Sequence, residues 1–161
     1  MKDWRTEQYR WARRLGRITV RVAAALTLGR MPSFVSTSAV VVRGSKLLVV
    51  IDPIRDEPVL PGGHLKWDED PRDAVVREVR EETGVTVYPT GIVGVFSGRK
   101  WAGERGIVRV IYRAEPGSGT LRSSPEGEAR WVPLDEIAHS GTRDAAILQI
   151  HLEQTSRAAV P

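Results

Sequence analysis

The sequence predicts an α/β fold, a mixed β-sheet flanked by helices and preceded by an amphipathic helical extension. Three observations carry this. Short Val- and Ile-rich segments bounded by Gly, Ser and Pro alternate with stretches whose apolar residues recur at helical spacing. The 161 residues suffice for one core plus an appended element. The charge is uneven: residues 1–35 carry eight Lys or Arg against two acids, a net of +6, and residues 36–161 carry sixteen against eighteen, a net of −2. The basic surplus therefore belongs to an extension, residues 1–30, and does not make the core, residues 31–161, a nucleic-acid binder.

Within the extension, Trp4, Trp11, Leu15, Ile18 and Val22 form the stripe of a helix over roughly residues 3–26, and Arg10, Arg14, Arg17 and Arg21 form a second stripe. Docking on the core or on a second subunit is the first expectation. Peripheral contact of residues 1–26 with an anionic membrane surface is the alternative, because aromatic residues beside arginines suit an interface. The apolar run 22–28 is too short to span a bilayer and no signal-peptide pattern follows it. The expected location is cytoplasmic, at the inner membrane surface if the helix binds lipid. No motif for sequence-specific nucleic-acid contact is present.

The chain has no cysteine, which excludes disulfides, thiolate metal sites and cysteine nucleophiles. His64, His139 and His151 show no zinc spacing, so any metal is better sought among carboxylates.

Along the core, residues 36–42 and 46–51 read as strands joined by a hairpin at Arg43, Gly44 and Ser45, and 52–58 as a charged loop. Asp70 can cap a helix that has Pro71 at its first position and Asp73 near its positive end. That helix should run to Thr83 and stop at Gly84, with Val75, Val76 and Val79 packing on the sheet. Strands follow at 92–96 and 107–114, separated by a loop, 97–106. Residues 116–127 are turn-rich, 130–132 form a short strand, 134–137 a helical turn, and 142–154 a helix with Ala145, Ile147, Leu148, Ile150, His151 and Leu152 on its apolar side.

Glu78, Glu81 and Glu82 crowd the C-terminal half of the first core helix. They repel one another and oppose the helix dipole, at a few tenths to about 1 kcal/mol per unfavourable term. A divalent cation would reverse that balance. Arg77 and Arg80 could instead pair with these acids in a solvated, charged helix, and both readings fit the residues alone. Pro61, Gly62 and Gly63 precede the helix, and paired glycines permit close backbone approach.

Residues 63–69, Gly-His-Leu-Lys-Trp-Asp-Glu, followed after seven residues by Arg77-Glu78-Val79-Arg80-Glu81-Glu82-Thr83-Gly84-Val85, resemble the complete Nudix hydrolase motif. The resemblance covers 23 residues, and the order of elements from about residue 36 is similar to that family's α/β/α sandwich. It implies hydrolysis of a diphosphate bond in a nucleoside diphosphate linked to another moiety, with magnesium usual and manganese sometimes accepted. The rival expectation is a non-catalytic nucleotide-binding or sensing module on the same fold. By motif position the metal-binding residues are Gly63, Glu78, Glu81 and Glu82, with Glu69 and Arg77 in support. Glu81 or Glu82 could accept the proton of an attacking water. The family also places bases outside the motif, so Glu126 and Glu128 are further catalytic candidates. A homodimer is expected from the resemblance and the extension.

For a nucleotide-like substrate, Arg55, Arg99, Lys100 and Arg105 could contact phosphates, while Trp101 or Trp131 could stack on a base. For both tryptophans a structural role is the alternative, in the core for Trp131. The choice among nucleotide sugar, ADP-ribose, dinucleotide and nucleoside triphosphate stays open.

Overall fold

The computed structural model describes residues 33–102 and 106–158. The expected N-terminal helix and Arg105 lie outside these residues.

Strand β1 (Phe34–Arg43) and β2 (Lys46–Asp52) form the expected hairpin, with pairing confined to Val42↔Leu47 and Arg43↔Lys46. Beyond those pairs the two strands diverge, and β1 instead pairs in parallel with β6 (Ile107–Pro116) from Phe34↔Ile107 to Val41↔Ala114. Strand β5 (Val87–Ser97) is antiparallel to β6. Two short strands, β3 (Glu57–Val59) and β4 (Gly62–His64), fall where a charged loop and a simple Gly-Gly turn are expected. The first pairs with β2 and the second with β1. Strand β7 (Glu128–Pro133) completes the other edge against β2. The described residues thus form a seven-stranded mixed sheet whose main path runs β3-β2-β1-β6-β5.

Helix α1 (Pro71–Thr83) covers one face. Its start and stop are those expected: Asp70 Oδ1 accepts the Arg72 N–H at 2.7 Å, and Gly84, at φ 75°, donates its N–H to the Arg80 carbonyl. Ala74, Val75 and Val79 are fully buried, and the two valines pack with Ala39, Val41, Leu48 and Val87. Each buried valine contributes about 1.5–3 kcal/mol of transfer free energy, which outweighs the repulsion among the helix carboxylates and holds them in place.

The other face carries α2 (Arg99–Ala102), α3 (Leu134–Ala138) and α4 (Arg143–Ala158). Ile137, Ala145, Ile147 and Leu148 pack there with Val40, Leu47, Val49 and Ile111. The short α2 lies within the expected 97–106 loop, and Leu152, expected on the apolar side of the last helix, is 37% exposed. Among the described residues no helix is long and apolar enough to cross a membrane.

Candidate active site

Helical periodicity places Glu78 and Glu82 on one face of α1, turned toward β4. Glu82 is buried, and one of its oxygens, Oε2, accepts the Gly62 N–H at 2.8 Å. The neighbouring glycine leaves room for the second carboxylate: a Cβ on Gly63 would lie 2.5 Å from the Glu78 carboxyl carbon. The glycines therefore work as one edge of the site as well as a turn. They pair with Ser38 and Thr37 of β1, which fixes them to the sheet.

Arg77 gathers the remaining acids. Its Nε and Nη2 fork both oxygens of Glu69 at 2.7 Å, Nη1 reaches Glu78 Oε1 at 2.8 Å and Glu81 Oε2 at 3.3 Å, and Nη2 also donates to the His64 carbonyl. Glu69 additionally accepts the Lys66 N–H. Hydrogen bonds from Arg77, then that backbone donor, lower the Glu69 pKa to about 2. The same carboxylates push the Arg77 pKa up.

Glu126 enters from the turn before β7 and hydrogen-bonds with Glu82. Burial first, then this contact and its charge, raise the Glu82 pKa well above the ordinary carboxylate range against the opposing pull of the Gly62 N–H. Burial likewise raises Glu78; Arg77 opposes the shift, and the charges of Glu126 and Glu81 add to it. Two elements distant in sequence thus bring Glu78, Glu82 and Glu126 into mutual electrostatic contact.

The expected site residues divide accordingly. Gly63, Glu69, Arg77, Glu78, Glu82 and Glu126 come together. Glu81 touches the group only through Arg77, and its side chain is 53% exposed. Glu128 stands apart: Arg130 forks its exposed carboxylate at 2.8 and 2.6 Å, and of the two acids Glu126 is the one that acts on Glu82. Glu128 and Arg130 flank the buried Ala129 in β7 and face outward, whereas Glu126 lies in the turn that precedes the strand.

Arg99, Lys100 and Trp101 line an open pocket of about 410 Å³ together with Gly141, Thr142, Arg143 and Ala146. Arg55 stands elsewhere, exposed in the turn after β2. Trp131 packs partly buried on the α1 side with the Arg43 guanidinium over its ring at 4.5 Å, a structural placement.

A buried ion pair went unread in the sequence. Arg109 and Asp144, 8% and 4% exposed, meet at 2.6 Å; Arg109 also donates to Ser38, and Asp144 accepts the Leu60 N–H at 2.7 Å. A signal existed: Asp144 lies four residues before Leu148 on the buried stripe of its helix, and Arg109 shares the inward face of its strand with Ile111.

The carboxylate oxygens of Glu78, Glu82 and Glu126, with burial opposing ionisation of the first two, suit a hard divalent cation. Among the described residues no three acidic or histidine side chains already converge as a ligand set.

This fold and the carboxylate helix against a Gly-Gly strand define a member of the Nudix family. The NUDIX domain model matches residues 32–150, and the chain belongs to that family. A MutT-like protein of Streptomyces ambofaciens is 39% identical over 106 residues, 65% of this chain and 66% of that relative. The shared part thus spans just under two thirds of that protein's length. Among solved structures, a MutT NUDIX hydrolase from Burkholderia pseudomallei is 27% identical at a TM-score of 0.61, covering 74% of this chain and 96% of that one. A MutT protein from Methanosarcina mazei is 25% identical at 0.63, covering 82% and 99%.

Proposed function

We propose that the protein is a metal-dependent diphosphohydrolase that cuts a diphosphate bond in a nucleoside diphosphate linked to another moiety. The observation that carries this is the meeting of Glu78, Glu82 and Glu126 beside the Gly62–Gly63 strand. Their mutual repulsion, and the raised pKa values of Glu78 and Glu82, are costly in a merely structural cluster and suit a site that receives a cation. Family membership supports the same reaction class.

In this reading Glu78 and Glu82 hold magnesium, or manganese, with Glu81 assisting, while Arg77 and Glu69 orient their carboxylates. The cation supplies charge neutralisation at the diphosphate and activation of water. Glu126 accepts the water proton. The Gly62 N–H keeps Glu82 oriented throughout. Arg99, Lys100 and Trp101 bind the part of the substrate that is not cut, and Arg105 remains a further candidate for it. A homodimer, a cytoplasmic location and docking of residues 1–30 on the core or a second subunit complete the proposal.

Product-resolved hydrolysis of a panel of nucleotide sugars, ADP-ribose, dinucleotides and nucleoside triphosphates, with magnesium or manganese, tests it. Turnover lost in Glu82→Gln is the expected result. A folded protein that binds nucleotides without cutting any of them overturns the reading in favour of a binding module.

A further inference from the structure

Three cations, Arg99, Lys100 and Arg143, line the pocket between α2 and the start of α4, and no acid shares the lining. Among the described residues none of the three has a carboxylate within ion-pair distance. The acid next in sequence to Arg143 is Asp144, whose oxygens are taken on the buried side by Arg109 and the Leu60 N–H. Among the described residues the pocket thus gathers positive charge that no acid offsets, the opposite of the carboxylate cluster beside α1.

Its floor is firm. Trp101 packs against Phe96 with ring centroids 5.2 Å apart and the planes tilted by 36°, and against the core, and the Lys100 ammonium lies 4.8 Å from the Trp101 ring centre. Gly141 adds an unhindered backbone, while the Thr142 hydroxyl accepts the Ala145 N–H at the start of α4. The volume, about 410 Å³, is within the range of small-molecule sites.

The pocket also opens at the same end of the sheet as the carboxylates. Ser97, which leads into α2, pairs with Val108; Val108 pairs with Val35; and the Val35 carbonyl accepts the N–H of Leu65, just after Gly63 and His64. Three strand spacings, roughly 15 Å, thus separate the backbone of Ser97, just before the pocket, from that of Leu65, just after the Gly-Gly strand.

We propose that this pocket is a subsite for a second anionic group of the substrate, a phosphate or carboxylate separate from the diphosphate that is cut. The proposal rests on the diphosphohydrolase reading and narrows it to substrates that carry negative charge at both ends.

Two measurements test it. Inorganic phosphate is titrated into the full chain while NMR follows the Trp101 indole and the Arg143 amide. Saturable shifts at both signals, lost in Arg143→Gln and in Lys100→Gln, are the expected result. Absence of those shifts in the folded wild-type protein overturns the subsite whether or not the protein hydrolyses anything. Saturable shifts in a protein inactive on every diphosphate establish an anion site but overturn the diphosphohydrolase reading, and with it the site's role as a substrate subsite.

Activity is then compared on substrate pairs that differ by one remote phosphate, coenzyme A against its 3′-dephospho form and NADP against NAD. A preference for the phosphorylated member of about tenfold or more, expressed in KM, is expected from one or two charge-assisted hydrogen bonds. Arg143→Gln abolishes that preference, whereas Arg157→Gln, an exposed cation at the far end of α4, keeps it. Equal loss in both variants would reveal general charge attraction and overturn the subsite.

Discussion

The Gly62 N–H donates to Glu82 Oε2 at 2.8 Å, so a backbone group of β4 holds the most buried carboxylate of α1. A backbone donor favours the ionised form, yet burial and the adjoining Glu126 carboxyl prevail and drive Glu82 toward protonation. The cation-free site is thus primed to hold a proton that a divalent ion must displace.

Binding of magnesium should therefore release protons and tighten as pH rises from the ordinary carboxylate range toward the raised Glu82 value. Calorimetry in buffers of different ionisation enthalpy measures this. No net proton release near neutral pH would count against a protonated Glu82.

The same shift has a consequence for stability without metal. A carboxyl whose folded pKa is raised contributes stability that is full below its unfolded pKa and is lost as pH rises through the folded one. Cation-free protein should lose stability as pH rises above the ordinary carboxylate range, and Glu126→Gln should flatten that decline by removing the neighbouring charge. Turnover should fall in the same variant. Urea melts across pH in the presence of a chelator provide the check, and an unchanged slope in Glu126→Gln sinks the assignment.

Arg77→Lys keeps one charge but loses the fork that joins Glu69, Glu78 and Glu81. Metal affinity should weaken about 10–100-fold, the usual effect of losing an orienting partner. Glu69, no longer held near a pKa of about 2, should titrate closer to its ordinary value. Its stabilising contribution, present above the unfolded pKa, would then fade earlier as pH falls. Manganese titration and acid melts of the variant measure both effects.

Local signals made α1 readable. Asp70, Pro71 and Gly84 mark its limits, and those limits hold to the residue. The glutamate spacing likewise put Glu78 and Glu82 on one side. Strands β3 and β4 escaped because three residues carry no period of two; only pairing with β2 and β1 makes them strands. Long-range contact also separates Glu126 from Glu128, one in the turn before β7 and acting on Glu82, the other at the start of the strand and paired with Arg130. Arg109 and Asp144 were hidden for a similar reason, since each reads as a surface charge until the other is brought opposite it.

The paired glycines should respond differently to alanine. At Gly62, φ is 153° and a Cβ would lie 2.1 Å from the Thr37 carbonyl oxygen, so the backbone itself must move. Gly62→Ala should cost about 3 kcal/mol or more in stability. At Gly63 the new methyl meets the Glu78 carboxyl, the far end of a flexible side chain that can swing aside. Gly63→Ala should keep most of the stability and lose metal affinity and turnover. Equal stability losses in the two variants would contradict the assigned geometry.

The Arg109–Asp144 pair connects β6, β1 and α4 to the segment that enters β4. Asp144→Ala would leave a buried guanidinium without its counter-charge and the Leu60 N–H without its acceptor. Breaking one side of such a pair costs about 3–5 kcal/mol, whereas replacing both partners with apolar residues is often neutral or stabilising. Asp144→Leu combined with Arg109→Met should therefore recover most of the stability lost in Asp144→Ala. The double variant still lacks the acceptor for Leu60, two residues before the amide that holds Glu82. Its stability should return more fully than its turnover. Urea denaturation and steady-state kinetics on the same three proteins separate the two contributions, and parallel recovery of both would show that the pair stabilises the fold without orienting the site.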